Sequence, residues 1–460
     1  MPPPLKSLSP YISALLIRRL AQNPQFTIEP TLEQLASAVL AIKLTGLMEL
    51  VKQFPGETMD VSTSLIDRYD KYIETIFELV AGHGGDVIKI ENDTILVLWP
   101  TEATNEPLSF VCLRAIQCGL ALQTVITEQS FELKISPQIA ISAGLVMMAD
   151  IGGVYGRWEF VVDGLPVRQV RAEVGMTRPG TVNLSPETWI LTDKQIRSQP
   201  ISNRWVQVEA IEQPLPIASL NWPALPSQIE AALRGYIPGA ALSRLTTTRP
   251  DGAADILSVT VLILRLSDVS TIDSVTQTHQ HIRMLQSTLY EHEGSVSQVR
   301  LNEHTIDLVA IWGLPPVAHE DDAALAVQAA LAMQDELQQK GLSGAISIAS
   351  GRAFCSIVGS KQRKEYSISG DSLQFAEQLN SAMPITGVSS NPMIEIWCDE
   401  ATYLTAQGQV AFKLLSPLHL GPDLPSTAVY QPMASLASFK QNALSKNSNQ
   451  WLDSNLSEAG

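Results

Sequence analysis

The chain has 460 residues, of which 45% are hydrophobic, and its formal net charge at pH 7 is -16. A chain of this length is too long for one hydrophobic core, so we expect about two to four domains. Nucleic acids and anionic membranes are bound by clustered Lys and Arg, so the acidic balance argues against partners of both kinds.

The cysteines and the apolar runs indicate a cytoplasmic protein. The four cysteines lie in apolar surroundings without a C-x-x-C pattern, which is typical of reduced, buried thiols. The N-terminus lacks the apolar segment and the cleavage site of a secretory signal. No run reaches the roughly 18 uninterrupted apolar residues that a membrane helix needs, so we expect no membrane span.

The first half of the chain predicts a unit of helices and strands around a β-hairpin. Two runs of β-branched and aliphatic residues, at 87–90 and 94–99, flank a polar turn at 91–93, which is typical of a hairpin. The other predicted elements are, in chain order, a helix at 10–20, a strand at 35–44, helices at 62–82 and 107–125, strands at 134–148 and 158–162, a helix at 165–174, a strand at 181–184 and the start of a helix at 185–189. This order predicts an α+β fold with a mostly antiparallel sheet and helices packed on it.

The same pattern returns after a stretch rich in proline, which indicates an internal repeat. The repeated elements are a strand at 257–266, a helix at 274–292, a hairpin at 296–312, a helix at 321–338 and a strand at 344–351. Both hairpins end in a tryptophan, Trp99 and Trp312. We therefore divide the chain into an N-terminal helical segment at 1–34, a first domain at 35–198, a Pro-rich linker with one helix at 199–255, a second domain at 256–433 and a flexible tail at 434–460.

Three motifs carry a resemblance to a known family. They are Gly-Gly-Asp-Val-Ile-Lys at 84–89, Gly-Ala-Ile-Ser-Ile-Ala-Ser-Gly at 344–351 followed by Cys-Ser-Ile-Val-Gly at 355–359, and Glu-Tyr-Ser-Ile-Ser-Gly-Asp at 365–371. Over about residues 35–433, each unit resembles the catalytic domain of the class III adenylate/guanylate cyclases. The tandem is similar to the paired domains of soluble adenylyl cyclase and its bacterial relatives. The resemblance implies two ferredoxin-like class III nucleotidyl cyclase domains in pseudo-two-fold tandem.

The resemblance also implies where catalytic residues would lie. In that family ATP binds between the domains, two aspartates of one domain hold two metal ions, and the other domain supplies Lys, Asn and Arg. The position of the first aspartate is Lys43 here, and the second is kept as Asp93. The other matching positions are Gln298 for the base-reading Lys, Gln374 for the Asn, Gln378 for the Arg and Leu420 for a late Lys that holds the triphosphate.

These replacements predict that catalysis is lost. We expect Lys43 to pair with Asp93 and to exclude the metal, so that no catalytic residue and no cofactor remain. Mg²⁺ or Mn²⁺ is expected at Asp93 only if the chain is active. The alternative is that Lys43 extends to solvent from the end of its strand.

A second cleft, related to the first by pseudo-symmetry, is predicted to bind a small anion. In soluble adenylyl cyclase this cleft binds bicarbonate through a Lys and an Arg, and the matching positions here are Lys89 and Arg171. The second unit would place three polar residues opposite them, Arg265, Glu303 and His304. The alternative is that the two cations are surface charges or pair with Glu91 and Glu173.

The sequence therefore predicts a catalytically degenerate tandem module that senses an anion or a nucleotide in intracellular signalling. By analogy with its relatives, we expect a signalling protein or an ATPase module as partner. Two alternatives stay open: an active adenylate cyclase that converts ATP to cAMP and pyrophosphate, and an interaction scaffold without a ligand. Turnover of ATP with Mn²⁺ separates the first alternative from the others.

Overall fold

The protein is described by a computed structural model. The structure describes residues 5–22, 28–45, 59–91, 93–129, 136–201, 204–246, 255–267, 269, 275–302, 304–384, 393–419 and 426–435. The predicted positions Leu420 and Glu303 lie outside these residues.

The described strands form two sheets of eight strands each. The strands are β1 Thr31–Thr45, β2 Asp86–Glu91, β3 Thr94–Pro100, β4 Ser136–Val154, β5 Arg157–Asp163, β6 Thr181–Leu184, β7 Ile196–Pro200, β8 Val206–Ile211, β9 Asp255–Ser267, β10 Ser295–Leu301, β11 Thr305–Trp312, β12 Ser343–Gly359, β13 Lys364–Gly370, β14 Ile394–Cys398, β15 Val410–Leu414 and β16 Tyr430–Ser435.

The described helices pack on these sheets and beside them. They are α1 Leu5–Leu8, α2 Ala14–Gln22, α3 Met59–Gly82, α4 Thr101–Thr104, α5 Leu108–Gln129, α6 Leu165–Val174, α7 Pro186–Thr192, α8 Glu230–Tyr236, α9 Gly239–Leu245, α10 Val275–Glu291, α11 Asp322–Gln339, α12 Asp371–Ala382 and α13 Glu400–Ala406, with 3₁₀ turns at Ser9–Tyr11 and Ser227–Ile229.

The two sheets have equivalent strand orders, which confirms the predicted duplication. The first sheet runs β2-β3-β1-β4-β6-β8-β7, with β5 paired to β4. The second runs β10-β11-β9-β12-β14-β16-β15, with β13 paired to β12. Most neighbours are antiparallel, and each sheet has a parallel pair, β4 with β6 and β12 with β14. The chain is thus a tandem of two mixed α+β units, as the sequence predicted.

Most predicted elements are present, and the main difference falls in the predicted linker. The hairpins are confirmed as β2–β3 and β10–β11, and α6 and β6 have the predicted bounds. Strand β8 lies within the range assigned to the linker, where it pairs with β6 and β7. Only Val206 and Val208 of β8 are buried, so its apolar alternation is too short to stand out among the prolines. The linker also contains two helices, α8 and α9, where one was predicted.

Helix α5 belongs to the core of the first unit. Its segment at 108–125 is long and apolar enough to cross a membrane, judged by length and composition alone. However, Val111, Ile116 and Leu122 along this segment are buried together with residues of the first sheet. The two cysteines on this helix, like the other two, are free and buried, as predicted.

Each unit closes its hairpin on a tryptophan in the same way. Trp99 donates its indole N–H to the carbonyl oxygen of His83 at 2.9 Å, and Trp312 makes the equivalent bond at 2.7 Å. A Cβ added at Gly85 or at Gly294 would lie 2.5 Å from the nearest indole ring. Glycine is therefore required beneath both rings, because a methyl group cannot approach that closely.

The N-terminal helices and the linker helices form a third layer on the second sheet. Leu8 and Ile17 of the N-terminal segment share one apolar cluster with Leu233 of α8 and with Val261 and Ile311 of the sheet. This cluster buries the face of the sheet that α10 and α11 do not cover.

Asp86 holds the N-terminal helix against the first hairpin. Its carboxylate is fully buried and accepts hydrogen bonds from the backbone N–H groups of Ala14 at 3.1 Å and Leu15 at 2.7 Å. These amides open α2 and have no partner within the helix, so the aspartate satisfies them as a cap from a distant part of the chain. The aspartate of the Gly-Gly-Asp motif thus has a structural task.

The two units are joined at a β-bulge in each hairpin. The register shifts between Val87 and Lys89 in β2, and β10 has a corresponding shift around Ser297. Arg363 of the second unit donates from Nε to the carbonyl of Val87 and from Nη2 to that of Ile88, both at 2.8 Å. In return, Lys89 of the first unit donates from Nζ to the carbonyl of Ser297 at 2.9 Å. A cation of each unit thus binds backbone carbonyls at the bulge of the other.

Candidate functional site

Lys43 and Asp93 form an ion pair at the end of the first hairpin. Lys43 lies opposite Thr94 in the pairing of β1 with β3, and Asp93 precedes that threonine. The Lys43 Nζ lies 3.7 Å from Oδ2 of Asp93, and the two side chains are 32% and 30% exposed. The other oxygen, Oδ1, accepts a hydrogen bond from the Thr94 hydroxyl at 3.1 Å. The predicted pairing is present, and both oxygens of the retained aspartate have partners.

This arrangement does not fit a site for two divalent ions. Such ions need several oxygen ligands, and carboxylates must offset the cost of dehydrating them. Here one carboxylate is present, and an ammonium stands beside it. Within the described residues, no group of three or more His, Cys, Asp or Glu could hold a metal ion.

The second unit has an ion pair near the equivalent place, with its cation at the position of Lys43 and its carboxylate at the position of Thr94. Arg265 lies opposite Asp307 in the pairing of β9 with β11, as Lys43 lies opposite Thr94. The Arg265 Nε donates to Oδ1 of Asp307 at 3.0 Å. The sequence analysis singled out Arg265 but missed Asp307, which an alignment of the two hairpins on their tryptophans would have placed beside it. Both units therefore carry a cation, Lys43 or Arg265, that is paired to a carboxylate at this end of the hairpin.

The three glutamines predicted in the second unit have different surroundings. Gln298 on β10 is 8% exposed, and its Oε1 accepts a hydrogen bond from Arg300 at 3.2 Å. Its Nε2 is buried and has no hydrogen-bond partner in the described part of the chain. Gln374 and Gln378 lie one helical turn apart on α12, the first exposed and the second half-buried.

Arg171 is held by two carboxylates of its own unit. It donates to both oxygens of Glu91, at 2.9 and 2.6 Å, and to Oδ2 of Asp163 at 3.2 Å. Burial alone would raise the pKa of Glu91, but the charges of Arg171 and Arg300 outweigh it and lower the pKa to about 2. The pairing with Glu91 is the alternative considered from the sequence, and it occupies the cation that was expected to meet an anion.

A small cavity of about 30 Å³ lies beside Arg171 and Lys89, so the structure does bring the two predicted residues together. This volume holds about one or two water molecules. Lys89 differs from Arg171 because its ammonium donates to a backbone carbonyl, that of Ser297. Within the described residues, no carboxylate lies within ion-pair distance of Lys89. Of the residues expected opposite, Arg265 is paired to Asp307.

Glu159 on β5 faces both this small cavity and a larger one between the units. Burial raises the pKa of Glu159 to about 7, although the charges of Lys89 and Arg157 and a hydrogen bond with Gln286 oppose the rise. Gln286 and the nearby Tyr290 belong to α10 of the second unit. A carboxyl group that changes charge near neutral pH therefore lies at the contact between the units. Sequence patterns gave no signal for it.

We expect the stability of the wild type to fall as pH rises, and we expect the Glu159→Gln variant to lack this pH dependence. The folded pKa lies above the usual 4.5, so the protonated carboxyl stabilises the fold fully below the unfolded pKa, and this contribution is lost as pH rises through about 7. The full size of the effect is about 3 kcal/mol. Urea unfolding at several pH values between 5 and 8 should show the wild type losing stability relative to the variant. Glu102→Gln, at an exposed position, should leave the profile unchanged, and parallel profiles for wild type and Glu159→Gln would refute the assignment.

The fold is that of two class III nucleotidyl cyclase domains in tandem, as the sequence predicted. No protein-family model matches it. In sequence it is similar to adenylate cyclase type 10 of Homo sapiens, with 24% identity over 414 residues, and of Mus musculus, with 25% identity over 418 residues. Each alignment covers 81% of this chain and 25% of the relative, so the chain spans about a quarter of the length of these curated relatives.

One solved structure is similar over both units. It is a class III adenylyl cyclase-like ATP-binding protein from Pseudomonas aeruginosa, with a TM-score of 0.51 and 12% sequence identity. The match covers 82% of this chain and 85% of the other. At this identity the similarity concerns the fold.

Proposed function

We propose that this chain is a cyclase homology module that has lost the cyclisation reaction and regulates signalling in the cytoplasm by binding a small ligand. The observation that carries the proposal is the ion pair of Lys43 with Asp93. In the second unit, Arg265 stands at the position equivalent to Lys43 and is likewise paired to a carboxylate, that of Asp307. The signalling or ATPase partner expected from the resemblance stays a prediction.

Electrostatics explains why the ion pair matters. Two unit charges at about 4 Å interact by about 1 kcal/mol in bulk water and about 4 kcal/mol at an effective dielectric of about 20. A divalent ion at Asp93 would meet about twice that repulsion from Lys43, and it would have to compete with the ammonium for the same oxygen. The pair itself is partly exposed and contributes only about 0 to 1 kcal/mol to stability. Its effect is therefore on metal binding more than on folding.

The central test measures turnover and metal binding together. We expect the purified chain to form neither cAMP nor pyrophosphate from ATP with Mn²⁺. We expect Lys43→Asp to raise Mn²⁺ affinity at least about tenfold in calorimetric titration, because a cation is replaced by a ligand. Lys194→Asp, at an exposed position, is the matched control and should leave the affinity unchanged.

The opposite outcome has a clear meaning. Sustained cAMP formation by the unmodified chain would establish the alternative, an active adenylate cyclase. Mn²⁺ binding by the wild type with the affinity of Lys43→Asp would show that Lys43 does not exclude metal. A chain that binds no ligand of any kind in thermal-shift measurements would establish the scaffold alternative.

Anion binding beside Lys89 and Arg171 is a second candidate, favoured by the small cavity that both residues line. Because Glu91 neutralises Arg171, we expect only weak stabilisation of the wild type by bicarbonate. Glu91→Gln removes one of the two carboxylates that hold the guanidinium, leaving Asp163, and should increase that stabilisation, whereas Lys89→Ala should remove it. Thermal unfolding in sodium bicarbonate, with sodium chloride at equal ionic strength as control, measures both effects. Equal melting shifts in all three proteins would exclude a bicarbonate site here.

A further inference from the structure

A larger cavity of about 560 Å³ lies where several parts of the chain meet. Its walls come from the N-terminal segment, from β2 and β5 of the first unit, from the linker helices, and from the second hairpin and β13 of the second unit. The positions of the altered metal site, Lys43 and Asp93, do not line it. Its size falls within the range of about 300 to 1,000 Å³ that is typical of sites for small organic molecules.

About half of the wall surface is apolar. The apolar side chains include Ile12, Leu16, Ile237 and Leu314, and aromatic ones are Phe160 and Tyr236. Such a lining suits the hydrocarbon or ring portion of a ligand, because apolar surface is removed from water on binding.

Two hydrogen-bond donors at the wall are available to a ligand. The Nε2 of Gln298 is buried, and within the described residues it has no partner, which is costly unless a ligand or a water accepts from it. The ammonium of Lys89 donates to the carbonyl of Ser297 and keeps further N–H groups.

The two arginines of the wall are committed to backbone carbonyls. Arg157 donates to the carbonyls of Arg234 and Ile237, at 3.0 and 2.7 Å. Arg363 is bound to the carbonyls of Val87 and Ile88 and to Glu365. Lys89 and Gln298 therefore keep N–H groups for a ligand, and the hydroxyl groups of Ser13 and Tyr290 line the same wall.

We propose that this cavity binds an organic carboxylate with an apolar body, whose anionic group accepts hydrogen bonds from Lys89 and Gln298 while the body lies among Ile12, Leu16 and Ile237. Lys89 provides the charge that selects an anion over a neutral molecule. Gln298 occupies the position at which the family resemblance implies a base-reading lysine, so the altered residue is used for a different ligand. This inference identifies the ligand class for the regulatory role proposed above.

The carboxyl of Glu159 gives the site a pH dependence. It faces Lys89 of β2, Arg157 of its own strand, and Gln286 and Tyr290 of α10. When Glu159 is protonated, it is neutral, so the ammonium of Lys89 interacts with the bound anion without competition from this carboxyl group. When it is ionised, the two carboxylates repel each other, so affinity should fall as pH rises above about 7.

The test uses decanoate and 1-decanol as probes, because they share a chain and differ in charge. Displacement of the fluorescent anion 8-anilinonaphthalene-1-sulfonate from the full chain at pH 6.5 gives both affinities. We expect decanoate to bind at least about tenfold more tightly than 1-decanol. Lys89→Met should remove that preference, and Gln298→Leu should lower the affinity for decanoate about threefold to tenfold. Lys194→Met, at an exposed lysine, should bind as the wild type does.

A second variant addresses the apolar part and guards against misfolding. Leu16→Trp places a larger side chain in the cavity and should lower the affinity for both probes. Thermal unfolding shows whether this variant remains folded. Equal affinities for decanoate and 1-decanol, or unchanged decanoate binding in folded Lys89→Met, would overturn the proposal. Absence of decanoate binding to the wild type would do the same. The cAMP measurement is independent of these outcomes, so failure of this inference and failure of the lost-catalysis proposal can be told apart.

Discussion

Arg363→Ala is expected to lower the free energy of unfolding by about 3 to 5 kcal/mol. Arg363 is 4% exposed, and its guanidinium satisfies two carbonyls at the bulge of β2 and the carboxylate of Glu365 at 2.5 Å. Truncation leaves these acceptors without their donors. A buried acceptor without a partner destabilises the fold by its full desolvation penalty. Urea unfolding followed by circular dichroism measures the loss.

Two further variants make this experiment specific. Arg363→Lys keeps the charge but not the forked geometry, so it should recover only part of the stability. Arg197→Ala removes an arginine that is 63% exposed and paired to Glu209 at 3.0 Å, and it should cost less than about 1 kcal/mol. A loss of that small size for Arg363→Ala would show that the bulge contact does not hold the units together.

Trp99→Ala should cost about 3 to 5 kcal/mol, because the indole is fully buried and its removal leaves a cavity. Trp312→Ala should cost a similar amount, since the second unit repeats both the hydrogen bond and the glycine beneath the ring. Trp189→Ala, at a position that is 39% exposed, is the matched control and should cost far less. Thermal and urea unfolding of the three variants test the comparison.

A double-mutant cycle tests the close approach beneath Trp99. Gly85→Ala alone should destabilise by about 1 to 3 kcal/mol, because the new methyl group overlaps the ring. In the background of Trp99→Ala the ring is absent, so the same substitution should cost much less. Strict additivity of the two changes would contradict the geometry, since only residues in contact show coupling.

Local patterns in the sequence were sufficient for most of the fold. The hairpins, α6 and β6 follow from short-range alternation and turn residues, and the repeat of these signals revealed the second unit. The pair of Lys43 with Asp93 was predicted from the metal positions that the family resemblance implies, and the register of β1 with β3 explains why the two residues meet. Strand β8 was missed because it buries only two apolar side chains.

Contacts between distant segments could not be predicted in this way. Asp163 beside Arg171, Arg363 at the bulge of β2 and the buried carboxyl of Glu159 depend on how the two units and their strands meet. Periodicity reports which face of an element is buried, but it does not report which charged groups meet there. The large cavity could not be predicted for the same reason, because segments that are far apart in the sequence enclose it.

Each unit donates a cationic side chain to the bulge of the other, and this affects whether either unit can fold alone. Each half alone would leave backbone oxygens of its own hairpin without their donor and a cationic side chain without its acceptor. A fragment containing either half should therefore not fold stably by itself. Mixing the separately expressed halves should restore structure that neither half has alone. A change in the bulge of one unit should therefore require a matching change in the cation that the other unit donates to it, Arg363 or Lys89.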